Sequence, residues 1–104
     1  MPYQEGPMTE AMYYVLLALS KPTHGYQLMM DIKEISGGRI EMGPGTLYGV
    51  LNRMSKEDLL KIKSDDGRRK TYELTVLGKA AIKAEYHRLQ LMLKDGEFLR
   101  EDLR

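Results

Sequence analysis

Apolar residues recur at helical spacing in three successive segments of the first half of the chain. The first segment ends at Lys21-Pro22, because the residue before a proline avoids helical backbone, and the second ends at Gly37-Gly38. A third segment begins at Pro44 and runs to about Asp58. The apolar positions of the first two segments are Met8, Met12, Val15, Leu16, Leu19, Leu28, Met29, Ile32 and Ile35. The pattern predicts three helices.

The period then changes from helical spacing to alternation. Leu60 and Ile62 alternate with lysines, and Tyr72 and Leu74 alternate with polar residues on the far side of a turn at residues 64–67. Two alternating runs joined by a glycine-containing turn are typical of a β-hairpin. We therefore predict a two-stranded hairpin with a basic tip and stem.

A long helix is predicted to close the chain. Thr75 stands where a helix N-cap belongs, apolar positions recur from 77 to 93, and Asp95-Gly96 offers a stop. Residues 97–104 are expected to add only a frayed turn.

Two apolar stripes run along this last helix. The first is Ile82, Tyr86, Leu89 and Leu93; the second is Leu77, Ala80, Ala81 and Ala84. We expect the second stripe to pack on the chain's own domain, and the first, together with Met8 and Met12, to pack on a second copy. A single core that uses both stripes is the alternative, but a stripe that continues to Leu93 outruns the core of a small monomer.

Composition narrows the functional classes. The chain has 104 residues, of which 42% are hydrophobic and 30% charged, so one folded domain is expected. Cysteine is absent, which excludes disulfides, thiolate metal sites and a cysteine nucleophile. The longest nearly apolar run, Ala11–Leu19, is far shorter than the roughly 20 residues of a membrane span, and we expect a cytoplasmic protein.

Charge is nearly balanced overall but unevenly distributed. The formal net charge is +1, yet residues 1–52 carry a net −2 and residues 53–104 a net +3. Seven basic residues face four acidic ones within residues 53–70. A local basic surface of this kind is a candidate for contact with nucleic acid.

The third helix combines an apolar face with a face of small and polar residues. Its apolar face carries Leu47, Val50, Leu51 and Met54, and its outer face carries Gly45, Gly49, Asn52 and Lys56, flanked by Thr46, Tyr48 and Arg53. A helix that enters a major groove needs both faces. Taken alone, the helix fits an ordinary amphipathic surface helix better, although a mid-helix Gly49 costs about 1 kcal/mol relative to alanine and invites a reason such as close packing.

Three consecutive cations follow the glycine of the hairpin turn. Arg68, Arg69 and Lys70 on such a turn can lie along a phosphate backbone or reach a minor groove. A solvated turn is the simpler interpretation, and the neighbouring Asp65 and Asp66 partly favour it. Together with the outer face of the third helix, however, the cations supply the second of two contacts expected of a winged DNA reader.

Several short motifs, weak singly but specific together, give the chain a family resemblance. They are His24-Gly25-Tyr26, Pro44-Gly45-Thr46-Leu47-Tyr48, Leu51-Asn52-Arg53-Met54, Gly67-Arg68-Arg69-Lys70, Tyr72-Glu73-Leu74-Thr75 and Gly78. In order and spacing across about residues 8–94, the chain resembles the PadR family of transcriptional regulators. The resemblance implies a winged helix-turn-helix, a homodimer built largely through the C-terminal helix, and repression of a nearby gene. It is closest to the small members with a single C-terminal helix.

The chain departs from the family pattern at two places. Asp58 stands where the family often has a glycine before the first wing strand, and aspartate tolerates left-handed backbone better than most residues. Some small members bind planar aromatic drugs between tryptophans in the dimer pore; this chain has no tryptophan, and Leu89 stands near that position. Drug stacking is therefore not expected.

We accordingly predict a mainly α fold with a small β-hairpin (α+β): a winged helix-turn-helix at residues 1–75 and a dimerisation helix at residues 76–104, forming one compact domain. The expected function is sequence-specific regulation of transcription by a homodimer, most simply a repressor, on a palindromic double-stranded DNA operator. A small apolar effector between the first and last helices is one route of regulation. The expected DNA-binding residues are Thr46, Tyr48, Asn52, Arg53, Lys56, Arg68, Arg69 and Lys70. The expected dimer residues are Met8, Met12, Ile82, Tyr86, Leu89 and Leu93.

Other functional classes are less well matched. A winged-helix protein-interaction module stays open because the net charge is almost neutral, and a ligand-binding dimer without DNA contact is favoured by Asp58 alone. An enzyme is not expected, because the two histidines, His24 and His87, lie far apart and no nucleophile elbow, phosphate loop or dinucleotide fingerprint occurs. No metal, cofactor or membrane partner is predicted.

Overall fold

The structure, a computed structural model, describes residues 7–102. Within this range, five helices and three strands follow one another. They are α1 (Glu10–Ala18), β1 (Thr23–His24), α2 (Gly25–Ile35), α3 (Pro44–Lys56), β2 (Leu60–Asp65), β3 (Lys70–Leu74), α4 (Val76–Asp95) and α5 (Leu99–Asp102). The predicted α+β arrangement of three helices, a hairpin and a long helix is confirmed.

Local capping explains where the helices begin. The Thr9 hydroxyl accepts the Met12 N–H at 3.1 Å at the start of α1, and His24 Nδ1 accepts the Gln27 N–H at 3.3 Å at the start of α2. Pro44 is the first residue of α3, where its missing N–H costs nothing. The third helix ends at Lys56, two residues before the predicted end, because Asp58 takes a left-handed conformation with φ 61°.

The core lies between the first three helices and the sheet. It includes residues from α1, α2, α3, β2, β3 and α4, and its largest fully buried side chains are Val15, Leu16, Leu19, Leu28, Ile32, Leu47, Leu51, Met54, Leu59 and Leu60. The inward-facing leucines of α3 are therefore fixed by packing. Its outer face is left at the surface.

A small sheet flanks the helices, in the order β1-β3-β2 with both pairings antiparallel. The sequence predicts β2 and β3 but treats residues 22–25 only as a break. A strand of two residues has no period to detect, and Thr23 and His24 become a strand only by pairing with Tyr72 and Thr71 of β3. The chain entering α2 is thus attached directly to the wing hairpin.

An ionic and aromatic cluster holds the α2–α3 connection against α1. The Arg39 guanidinium donates to the Tyr14 hydroxyl at 2.9 Å and to Glu10 Oε2 at 3.3 Å, and it lies 5.6 Å from the centre of the Tyr14 ring. This contact helps to set the position from which α3 starts.

The long helix α4 is fixed at its N-terminus to the turn that follows α3. The Thr75 hydroxyl accepts the Gly78 N–H at 2.9 Å and donates to the Asp58 carbonyl. Gly78 itself leaves no room for a side chain, because a Cβ there would overlap the Leu59 carbonyl. The end of α3 and the start of α4 therefore form one rigid junction.

The inward face of α4 differs from the predicted one. Leu77, Ala80 and Ala84 are exposed, whereas Gly78, Ala81 and Glu85 are buried. The reason is the close approach at Gly78, which sets the rotation of the helix, and this requirement is invisible to a hydrophobicity pattern. The frayed turn expected after residue 96 is the one-turn helix α5.

Candidate nucleic-acid interface

The outer face of α3 is exposed as the sequence predicts. Thr46, Tyr48, Asn52, Arg53 and Lys56 all lie at the surface. Gly45 and Gly49 share this face, and nothing in the described chain lies within 4 Å of a Cβ built at either one. Packing inside the chain is thus not the reason for Gly49. The two glycines lower the surface where another molecule can approach.

One cation of this face is already paired. Arg53 Nε lies 3.2 Å from Glu57 Oε1, four residues further along, while the Arg53 side chain stays 61% exposed. A surface pair of this kind contributes little to stability and exchanges readily for another anion. Arg53 is therefore held over the face without being buried.

Aspartate side chains shape the wing turn between β2 and β3. Asp65 Oδ1 accepts the Gly67 N–H at 2.9 Å, and Asp66 Oδ1 accepts the N–H groups of Arg68 at 3.0 Å and Arg69 at 2.7 Å. Gly67 has φ 85°, which favours glycine. The two hydrogen bonds from the backbone hold the pKa of Asp66 below its usual range. The turn is thereby structured while its three cationic side chains stay exposed.

An open groove of about 480 Å³ lies between the start of α2, the outer face of α3 and the wing. Five predicted residues line it: Tyr48, Asn52, Arg68, Arg69 and Lys70. Thr46, Arg53 and Lys56 lie outside the lining, on the exposed surface of α3. The structure thus brings the helix and the wing together at one groove.

The groove also contains residues that sequence reasoning missed. They are His24, Gly25, Tyr26, Asp65 and Tyr72. Pairing of β1 with β3 brings the first three residues beside the wing, and this contact spans almost fifty positions of the chain. The motif His24-Gly25-Tyr26 singled out these residues in the sequence, but it did not indicate that they lie beside the wing.

A close contact positions Tyr48 in this groove. A Cβ at Gly25 would overlap the Tyr48 hydroxyl and would lie 2.9 Å from Tyr48 Cζ, so the ring rests directly on the first residue of α2. Burial raises the pKa of the neighbouring Tyr72, with smaller contributions from Tyr48 and Asp65. At neutral pH this tyrosine is therefore a neutral hydrogen-bonding group.

The residues predicted for a dimer interface fall into three groups. Met8 and Met12 are 9% and 3% exposed, because they pack in the core of their own chain. Ile82 and Leu89 are partly buried. Tyr86 and Leu93 are 55% and 75% exposed, so they form the free part of the predicted stripe.

The distal half of α4 and the segment that follows it, including the start of α5, expose further apolar side chains. Leu91, Met92, Phe98 and Leu99 are all large and exposed. Within residues 7–102, no helix combines the length and apolar character that crossing a membrane requires.

Comparison with known proteins places the chain in a family. The profile of the "Transcriptional regulator PadR-like family" matches residues 15–84. The chain is 37% identical over 79 residues to an uncharacterized 37.1 kDa transposon protein of Streptomyces fradiae, covering 75% of this chain and 22% of that protein. It is 34% identical over 68 residues to uncharacterized protein X of Lysinibacillus sphaericus, covering 62% of each. The chain thus spans less than two thirds of the length of either relative.

A solved structure shares the fold. A PadR family transcription regulator from Clostridium difficile superimposes with a TM-score of 0.73 at 24% identity, covering 88% of this chain and 98% of that one. The family match runs from α1 into α4 and includes α3, the wing and the groove between them. The chain belongs to the PadR-like family of transcriptional regulators.

Proposed function

We propose that this protein is a sequence-specific DNA-binding regulator that acts as a homodimer and represses transcription. The observation that carries the proposal is the groove in which Tyr48 and Asn52 of α3 face Arg68, Arg69 and Lys70 of the wing. One surface thus offers hydrogen-bonding groups from a helix and cations from a hairpin. DNA recognition needs both, because phosphate contacts position a protein and base contacts specify the sequence.

The geometry supports a division of labour between the two elements. The outer face of α3 is smooth at Gly45 and Gly49, and Asn52 and Arg53 can read base edges from it, since Asn pairs with adenine and Arg with guanine. Thr46 and Tyr48 are assigned to phosphates or base edges, and Lys56 to the phosphate backbone. The wing cations follow the phosphate backbone or enter the minor groove, where arginine is favoured.

We assign dimerisation to helix α4. Residues 76–104 form the dimerisation segment, and residues 1–75 form the DNA-binding segment. The radius of gyration is 15.2 Å and the extents are 54 × 30 × 21 Å, whereas a compact chain of this length has a radius of about 13 Å. The chain is therefore elongated, and it exposes the apolar side chains of Tyr86 and Leu93 on α4. A second copy packed there would bury them, leaving Met8 and Met12 to support the interface from the core.

Two-fold symmetry sets the form of the operator. A symmetric dimer presents two copies of α3, so the operator is a palindrome with half-sites about 10 bp apart, or a multiple of that distance. The proposed repressor blocks transcription where this operator overlaps a promoter. We assign the protein to the cytoplasm. An apolar effector at the α1–α4 interface regulates it only by binding the competent and incompetent dimers with different affinity.

Binding to DNA fragments from around the protein's own gene, with random DNA as competitor, tests the proposal. We expect a preferred fragment whose affinity falls about 10³-fold or more between 50 and 200 mM salt, as neutralisation of about 6 phosphates requires. Arg53→Ala and Arg68→Ala should weaken this binding while circular dichroism and the oligomeric state stay unchanged. Absence of binding at low salt would instead favour a protein-interaction module.

A further inference from the structure

One acidic side chain lies in the groove between α3 and the wing. This residue is Asp65, the last residue of β2. The other charged residues that line the groove are the cations Arg68, Arg69 and Lys70. Within residues 7–102 the Asp65 carboxylate forms no ion pair, and it accepts one hydrogen bond, from the Gly67 N–H. Its negative charge is thus not neutralised by a direct contact.

The adjacent Asp66 differs from Asp65 in its hydrogen bonds and in its position relative to the groove. Its carboxylate accepts two backbone N–H groups of the turn, and it is not part of the groove lining. Both residues are exposed and carry the same charge. The pair therefore offers a natural comparison between a carboxylate inside the groove and one outside it.

A carboxylate at a DNA interface has a narrow set of favourable partners. Its negative charge repels phosphates. Because it only accepts hydrogen bonds, its partners on the bases are exocyclic amines: cytosine N4 and adenine N6 in the major groove, or guanine N2 in the minor groove. On an arbitrary duplex, no hydrogen bond offsets the repulsion between the carboxylate and the phosphates. On a duplex that presents an amine at the right position, a hydrogen bond offsets it.

We propose that Asp65 is a specificity-determining residue: it weakens binding to arbitrary DNA and is tolerated where a base amino group meets its carboxylate. The inference rests on the DNA-binding function proposed above. It explains why a basic groove retains an acid that the wing turn does not need in charged form, since a neutral amide oxygen also accepts the Gly67 N–H.

The test compares Asp65→Asn with Asp66→Asn in the full chain. A binding site is first selected from a random duplex library with the wild-type protein, and each protein is then titrated with that duplex and with a scrambled duplex of equal length and composition. Asn keeps an acceptor at both positions, and thermal unfolding verifies that each variant is folded.

We expect Asp65→Asn to tighten binding to the scrambled duplex about fivefold, the scale of one close charge pair in water, while binding to the selected duplex stays within about twofold or weakens. Asp66→Asn should change both affinities by the same factor. If Asp65→Asn also changes both equally, or changes neither, the inference is wrong. If the wild-type protein enriches no sequence, the proposed function itself fails.

Discussion

Single glycines determine how closely other groups approach this fold. Gly25 allows the Tyr48 ring to rest on α2, and Gly78 allows α4 to rest on the Leu59 carbonyl. Gly49 is different, because its helix position is exposed and no neighbour lies within 4 Å of the Cβ it lacks. Packing within the chain therefore does not explain why a glycine stands here. We propose that Gly49 allows DNA to approach the helix closely.

The substitution Gly49→Ala separates stability from binding. We expect the free energy of unfolding to rise by up to about 1 kcal/mol, since alanine is the better helix former. DNA affinity should fall about fivefold or more, because the added methyl group enters the proposed contact surface. Denaturant unfolding and DNA titration measure the two effects.

Ser55→Ala is the matched control, because Ser55 is exposed on the same helix but does not line the groove and is assigned no DNA contact. It should raise helix stability slightly without weakening DNA binding. Unchanged DNA affinity in Gly49→Ala would contradict the assignment of this face.

The sequence predicts the DNA-binding residues of α3 and the wing, but it does not predict which other residues lie beside them in the groove. The basic turn and the polar face of α3 follow from local order and period. Tyr26 and His24 join the groove only through the pairing of β1 with β3, and Asp65 lines it from the wing end of β2. Contacts between distant segments leave no local pattern.

At the scale of elements, a buried carboxylate links α4 to the start of the described chain. Glu85 is 5% exposed; it accepts bonds from Arg88 at 2.8 and 2.6 Å and the Met8 N–H at 3.2 Å. The Arg88 hydrogen bonds lower the pKa of Glu85 below its ordinary 4.5, burial opposes them, and the Met8 N–H adds to the lowering. A periodicity analysis reads position 85 as polar surface, so this contact was not predicted.

This lowered pKa predicts a pH dependence of stability. Below about pH 4.5 the unfolded chain binds a proton that folded Glu85 resists, so the stabilisation is present above that pH and is lost as pH falls through the folded pKa. Glu85→Gln should cost about 1–2 kcal/mol at pH 7, toward the low end because Arg88 is partly exposed. The difference from wild type should shrink on acidification from pH 5 to about pH 3.

Glu97→Gln is the control, because Glu97 forms an exposed pair with Arg100 at the same spacing. Its effect on the free energy of unfolding should stay within about 0.5 kcal/mol at every pH. Thermal unfolding across the pH series measures both variants. A cost of Glu85→Gln that is the same at pH 7 and pH 3 would exclude the charge interaction as its cause.

For the whole molecule, the exposed apolar side chains of α4 are assigned to the proposed dimer interface. Leu93→Glu is expected to convert a dimer to a monomer, because burying a carboxylate in an apolar interface costs several kcal/mol. The isolated chain should tolerate it, since Leu93 is 75% exposed. Sedimentation velocity measures the oligomeric state.

Gln90→Glu introduces the same side chain on the exposed polar face of α4 and should leave the dimer intact. A wild-type monomer, or a Leu93→Glu variant that stays dimeric, would contradict the assignment of this face.

The overall architecture was largely predictable because each large element has its own period and its own stop signal. The rotation of α4 was not, since it depends on one backbone contact at Gly78. Of its predicted second stripe, Leu77, Ala80 and Ala84 are consequently exposed, whereas Ala81 is buried as predicted.

Hydroxyl-radical footprinting of the wild-type protein on its preferred DNA tests the central claim most directly, that two copies of α3 and of the wing read one symmetric site. We expect two protected half-sites related by two-fold symmetry, with centres about 10 bp apart or a multiple of that distance. A single unsymmetric protected patch, or uniform weak protection of every fragment, would contradict it.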